Sequence, residues 1–230
     1  MNHNEDQTIV VKEEKSLFCG LDLGQSADYS ALSIIECIRS YNTWTGESEI
    51  TKLNCVFLKR WALHSSYPSI VANVAQLMHS LKPYQSPDYK PVLAVDATGV
   101  GMPVVDLFRR EKINCDLRPI QIVGGANVSQ ENGVFRVPKR DLVGAAQVSL
   151  QSRILKIAPQ LPEAGTLIKE LQNFKVKITD AGNDTYSAWR DSDHDDLVLS
   201  VAMAVWCANK APFTVTEREK EVFRALSNRR

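Results

Sequence analysis

Three strand-like apolar runs follow one another before any helical periodicity begins, and that order constrains the fold more than any other feature of this chain. Leu17–Leu23, Ser30–Ile38 and Lys52–Arg60 are short apolar or alternating segments, and the polar stretch RSYNTWTGES separates the second from the third. Strands in succession with turns between them pair most simply as an antiparallel meander. Only then does the period change. Ile70, Val71, Val74, Leu77, Met78 and Leu81 recur at three- and four-residue steps and predict an amphipathic helix over 68–81. KPVLAVDATGVG reads as a strand ended by a glycine turn, Met102–Lys112 has helical spacing, and DLRPIQIVGG is a further strand. ANVSQENG then reads as a mobile loop. Helices follow from about Lys139 to Arg153 and from Pro162 to Phe174, and KVKITDAGNDTYSAWRDS predicts a short hairpin. HDDLVLSVAMAVWCANK has a nearly continuous apolar face, so it predicts a largely buried helix, which Pro212 ends. TEREKEVFRALSNRR reads as a charged, amphipathic tail. The order fits an α/β fold with a mixed central sheet of about five or more strands, three antiparallel and then parallel, flanked by helices.

The 230 residues suit one α/β domain with extensions: a polar leader over 1–15, the domain over 16–210, and a charged tail over 211–230. Apolar residues make up 44% and charged residues 23%, and no apolar run approaches the roughly 18 residues that a membrane-spanning helix needs. MNHNEDQTIVVKEEKS lacks the apolar core and small-residue cleavage site of a secretory signal. Cys19, Cys37, Cys55, Cys115 and Cys207 are odd in number and show no CxxC spacing, which predicts reduced core thiols in a cytosolic protein. With 27 basic and 27 acidic residues the chain has no bulk attraction for nucleic acid, so any DNA site must be a local patch.

Acids stand at the ends of three apolar elements: Asp22 in the first strand, Asp96 at the end of the fourth, and Asp195 with Asp196 at the start of the buried helix. A carboxylate in such a place is costly unless neutralised, and a convergent set repels itself. Divalent cations remove both problems, and all-oxygen ligands suit Mg²⁺ or Mn²⁺. In the simplest arrangement of these elements the first and fourth strands are neighbours, which sets Asp22 beside Asp96. Two ions there can activate a water and stabilise the leaving oxygen in phosphodiester cleavage. Structural roles compete with this reading. Asp22 can bond backbone amides in the turn around Gly24, Asp96 can serve the turn at Thr98, and Ser192 or Asp193 can cap the final helix. Asp28, in the loop after the first strand, is at most an outer group, and His194 and Asp193 are possible further ligands beside the acids. Lys139 and Arg140 precede a helix and can contact DNA phosphates or simply be solvated. The ATGVG turn lacks GxGxxG spacing, which argues against a dinucleotide site.

GLDLG with DYSAL, VDATGVGMPVVDLF, VPKRDLVGA and HDDLVLSVAMAVW, in this order, resemble the nuclease domain of the large terminase subunit of tailed bacteriophages over roughly residues 16–210. That resemblance implies the RNase H-like fold, shared with Holliday-junction resolvases and retroviral integrases. It implies a two-metal endonuclease, using Mg²⁺ or Mn²⁺, that cuts concatemeric double-stranded phage DNA during genome packaging in the bacterial host cytoplasm. Asp22 corresponds to the first-strand ligand and Asp96 to the second. Asp196 is the preferred third, because the family's ligand directly precedes the run of small apolar residues, with Asp195 able to share the role. The implied partners are a terminase ATPase domain, a small terminase subunit and the portal. The chain has no GxxxxGK[ST] phosphate loop of its own. Rival readings are a resolvase-like nuclease on branched DNA, an ATP-binding domain of the actin and sugar-kinase type, and a catalytically silent DNA-binding or motor-docking module.

Overall fold

A computed structural model describes residues 11–24, 28–42, 47–81, 90–99, 101–180 and 195–212. Strands β1 (Val11–Asp22), β2 (Ala31–Asn42) and β3 (Ser48–Arg60) form the antiparallel meander that the strand order predicts. All three are longer than their apolar cores. Val11 to Lys15, assigned by composition to the leader, pair with Asn42 to Ile38, because the long β2 offers this polar stretch a complete ladder. Helix α1 (Tyr67–Ser80) follows, with Ser66 at its N-cap and Ile70, Val71, Val74 and Met78 buried, as the periodicity predicts. Then come β4 (Val92–Asp96), α2 (Gly101–Arg110), β5 (Asp116–Val123), β6 (Ser129–Glu131), β7 (Val134–Pro138), α3 (Lys139–Gln151), β8 (Leu155–Ile157), α4 (Ala164–Asp180) and α5 (Asp196–Lys210).

Among the described residues the strands make one eight-stranded mixed sheet in the order β6-β7-β5-β4-β1-β2-β3-β8. β4 lies parallel beside β1, pairing Phe18 with Val92 and Leu21 with Val95, so the first and fourth strands are neighbours as expected. Helices cover both faces. Leu17, Cys19 and Leu21 of β1 pack with α1 and α2, while Phe18 faces α3, α4 and α5. A central strand covered on both sides carries apolar residues at successive positions, which explains the unbroken run Leu17–Leu23. Cys19, Cys37, Cys55 and Cys207 are buried thiols and Cys115 is partly buried, all of them free, as their spacing predicts.

Two expectations about local structure fail. ANVSQENG is not a loop throughout: Ser129–Glu131 pairs antiparallel with β7 across Asn132 and Gly133, whose φ values are 50° and 77°. Asn-Gly is the preferred pair for a two-residue turn with positive φ at both positions, and it closes this hairpin. The hairpin expected over 175–192 is replaced, in its described part, by the continuation of α4 to Asp180. The alternating KVKIT stretch thus follows the helix already begun at Ala164, since β-propensity yields readily to context. The rest of that expected hairpin, Asp193, His194 and the tail beyond residue 212 lie outside the described residues.

Helix α5 is buried at every position from Asp196 to Ala208. It lies against β1 at Gly20, where an added Cβ would sit 1.9 Å from the Ser200 carbonyl oxygen and 3.1 Å from the Ala204 amide nitrogen. Only glycine leaves room for helix backbone this near a strand. At the other end of α5 the buried Arg39 guanidinium donates to the Ala208 carbonyl in the last turn, at the negative pole of the helix. Gly20→Val is expected to lower unfolding stability by at least about 3 kcal/mol, the upper end of ordinary overpacking, in urea titrations followed by tryptophan fluorescence. A loss below about 0.5 kcal/mol would contradict this contact.

Candidate active site

Residues at even positions of β1 and β4 share one face of the sheet. Phe18, Val92 and Ala94 contribute to the core under α5, and Gly20 touches α5 directly. Strand alternation therefore points Asp22 and Asp96 to that same face, at adjacent ends of two parallel strands. The first turn of α5 meets them there. Four acids, Asp22, Asp96, Asp195 and Asp196, thus act on one another from β1, β4 and the start of α5.

Asp22 is buried, and its carboxyl is raised well above the usual range by burial first, then by the charges of Asp96, Asp196 and Asp195. Asp22 and Asp96 are within hydrogen-bonding reach, an arrangement that needs a proton on one of them. The purely structural role weighed for Asp22 meets a competitor, because the Gly24 amide donates to Ser30 Oγ at 3.0 Å. Asp96 does serve its turn: Thr98 N donates to its Oδ1 at 2.8 Å. Thr98 Oγ1 in turn accepts from the Ile122 amide at 2.9 Å, which ties the turn to β5. Burial raises the Asp96 carboxyl, opposed by the Thr98 bonds, by Asp22 and by the Lys139 charge.

Asp195 and Asp196, adjacent in sequence, have different surroundings. Asp195 occupies the N-cap position of α5 but makes no side-chain cap bond; its Oδ2 accepts from Lys139 Nζ at 2.9 Å. Asp196 is 4% exposed, and burial, Asp195 and Asp28 push it up to about 7 against Arg60 and the Tyr29 amide. Among the described residues no three His, Cys, Asp or Glu side chains close into a ready ligand shell. Asp195 is paired with Lys139, and Asp22 lies close to Asp96. The donor set itself fits a hard divalent cation, being all carboxylate oxygen and destabilised by its own negative charge.

Lys139, expected to meet DNA, has its ammonium turned to these acids and is only 18% exposed. Arg140 is exposed at the rim, donating to the Ala126 carbonyl at 2.8 Å and lying 3.6 Å from Asp141. Asp28 is exposed and acts on Asp196 at a distance. A cleft of about 480 Å³ lined by Gly24, Asp28, Ser30, His64 and Tyr67 opens just beyond Asp22. His194 lies outside the described residues.

Sequence reading missed two charged residues of the site, Glu170 and Arg60. Glu170 reaches from α4 to accept from the Leu197 and Val198 amides at 3.0 and 3.2 Å, and Arg60 lies 3.7 Å from its other oxygen. A signal existed, since Glu170 lies one position from Leu171 and three from the fully buried Leu167, placing an acid on the apolar stripe of α4.

No protein-family model and no curated protein sequence matches this chain. Solved structures do. A manganese-soaked human cytomegalovirus terminase nuclease domain is 16% identical, with 84% of this chain and 83% of that chain covered and a TM-score of 0.50. A second structure of the same domain is 18% identical over 84% and 83% of the two chains, also at 0.50. The large terminase nuclease of thermophilic phage G20c is 18% identical over 83% and 81%, at a TM-score of 0.48. The likeness to the cytomegalovirus domain shows the fold: a mixed α/β sheet flanked by helices, as in that terminase nuclease domain.

The raised carboxyls fix the sign of a pH effect. Asp22, Asp96, Asp196 and Glu170 hold protons in the folded chain at pH values where the unfolded chain has released them. Their contribution to stability is complete below the unfolded carboxylate range, about pH 4, and is lost as pH rises through about 7, the value for Asp196 and Glu170. In the presence of chelator the melting temperature is expected to fall by roughly 5 °C or more from about pH 5.5 to about pH 8. A flat or rising profile over that interval would mean that these acids do not crowd one another.

Proposed function

We propose that this chain is a divalent-cation-dependent endonuclease of the terminase type that hydrolyses double-stranded DNA, cutting concatemeric viral genomes as they are packaged in the host cytoplasm. One observation carries the reading. Acids from β1, β4 and α5 converge on one face of an RNase H-like sheet; burial raises the carboxyls of Asp22, Asp96 and Asp196, and acidic neighbours raise those of Asp22 and Asp196 further. A structural cluster of this kind costs stability with no return, whereas a cation site needs it. The solved neighbour was soaked with manganese, an ion of the class that oxygen donors favour.

In this reading Asp22, Asp96 and Asp196 would hold the Mg²⁺ or Mn²⁺ ions, with Asp195 and His194 available to the set. Such ions supply a nucleophilic water at neutral pH and stabilise charge on the phosphodiester oxygens. The protein's own groups do the rest. Thr98 holds Asp96 in its rotamer through the turn. Lys139, once Asp195 serves as a ligand, is left with its charge facing a phosphate oxygen. Arg140 at the rim orients the DNA backbone without reading its sequence. The water oxygen bonds to phosphorus as one ester P–O bond breaks, giving a phosphate monoester and an alcohol. An ATPase motor, a small recognition subunit and the portal would hold the DNA, for which the chain has no net charge of its own.

The purified chain is expected to nick and linearise supercoiled plasmid with Mn²⁺ and to stop on addition of EDTA. Asp22→Asn, Asp96→Asn and Asp196→Asn should each slow cutting by at least about 100-fold. Because each variant removes repulsion, it should melt no lower than the parent in EDTA at neutral pH. An Asp96→Asn chain that cuts at the parental rate would end this reading.

A further inference from the structure

We propose that Glu170 is a positioning residue for the metal centre, holding the first turn of α5 so that Asp196 is presented to Asp22. The inference rests on the metal-dependent nuclease reading above and extends it to a residue outside the acid set.

The first amides of a helix need acceptors, and a short polar side chain at the N-cap normally supplies one. In α5 the N-cap residue is Asp195, yet its carboxylate is turned to Lys139 and makes no cap bond. The acceptor comes instead from α4. Glu170 Oε2 takes the Leu197 amide at 3.0 Å and the Val198 amide at 3.2 Å. One oxygen bonded to two successive amides fixes both the height of the helix start and its rotation about its own axis. Asp196 directly precedes Leu197, so the direction of its side chain is fixed with them.

A cap alone does not explain the choice of residue. The Glu170 side chain is 6% exposed and close enough to Asp196 for their charges to oppose each other. A local Ser or Asn would satisfy these amides without burying a second charge. Borrowing the cap from α4 leaves Asp195 and Asp196 both available to the site. Arg60 compensates: it lies 3.7 Å from Glu170 Oε1, stacks 4.2 Å from the Tyr29 ring centre, and its charge also favours ionised Asp196. The Tyr29 backbone amide donates to Asp196 itself. Arg60 from β3 and Tyr29 from the loop between β1 and β2 thus favour the Asp196 carboxylate, while Glu170 from α4 holds the helix start that carries it.

The test compares the parent with Glu170→Ala, Glu170→Gln and Glu170→Asp in three measurements: Mn²⁺ affinity by calorimetry, the Mn²⁺ concentration for half-maximal plasmid cleavage, and the urea midpoint. Glu170→Ala should weaken Mn²⁺ binding about 10-fold and raise the half-saturating concentration in parallel. Glu170→Gln keeps an acceptor oxygen for both amides and should stay within about 3-fold of the parent. A merely structural cap would lower the urea midpoint of Glu170→Ala and leave the Mn²⁺ affinity of the folded protein unchanged, which would overturn the proposal. If Glu170→Ala does not fold, Glu170→Asp decides in the same way, since its shorter side chain draws the carboxylate back from the helix and should weaken Mn²⁺ by a similar factor. A parent chain that binds no Mn²⁺ removes the metal reading and this inference together. A parent that binds, beside variants that bind equally well, removes this inference alone.

Discussion

The contact between β1 and α5 at Gly20 governs the rest of the structure. Backbone there approaches backbone with no side chain between, so the helix cannot sit elsewhere on the sheet. Its burial from Asp196 to Ala208 follows, because β1 and β2 lie beneath it and α3 and α4 flank it. Such a helix must have its terminal groups answered from within the protein, and they are. Arg39 from β2 takes a carbonyl at one end, and Glu170 from α4 takes two amides at the other. The close approach lies just before Asp22 in β1, so the feature that seats α5 also brings its first turn to the acid at the end of that strand.

From this geometry comes an electrostatic conflict. Asp22 and Asp96 arrive on one face by strand alternation, and α5 adds Asp195 and Asp196. Burial limits screening by water, and Asp96, Asp195 and Asp196 raise the proton affinity of Asp22 as Asp195 raises that of Asp196. Two cations stand against this set, Lys139 at Asp195 and Arg60 between Asp196 and Glu170. They offset the charge in part. The Thr98 amide at Asp96 and the Tyr29 amide at Asp196 offset more of it, and the raised carboxyl of Asp22 leaves that acid the readiest to hold a proton.

Much of this was legible in the sequence. Three strand runs before the first helix, followed by strand-helix alternation, are enough to place β4 beside β1 and so Asp96 beside Asp22. Even the shared face is readable, since Phe18, Gly20 and Asp22 alternate with Leu17, Cys19 and Leu21, as do Val92, Ala94 and Asp96 with Leu93 and Val95. The Asn132-Gly133 pair announced the β6–β7 hairpin, but the exposed polar residues Ser129–Glu131 concealed its first strand. β8 was hidden for another reason: three residues, Leu155–Ile157, carry no period, and only the register with β3 makes them a strand. Glu170 was legible only as an acid on the apolar stripe of α4, since the element such a residue reaches leaves no spacing in the local sequence, and nothing local marked Arg60.

The balance of charge also bears on how DNA would be held. Formal net charge is zero, and the lysine nearest the acids is already paired with one of them. In the absence of cations the site therefore repels a phosphate backbone rather than attracting it, with Arg140 at the rim as a weak counterweight. Binding of divalent cations would reverse the sign of that local field and release Lys139 from Asp195 in the same step. On the proposed reading, cation and DNA phosphate then favour each other's binding: each neutralises charge that the other would otherwise meet bare, and the coupling is reciprocal by linkage. Electrostatics of this kind would let a chain of zero net charge act on DNA at the proposed cation site while leaving the grip on the duplex to other parts of an assembly.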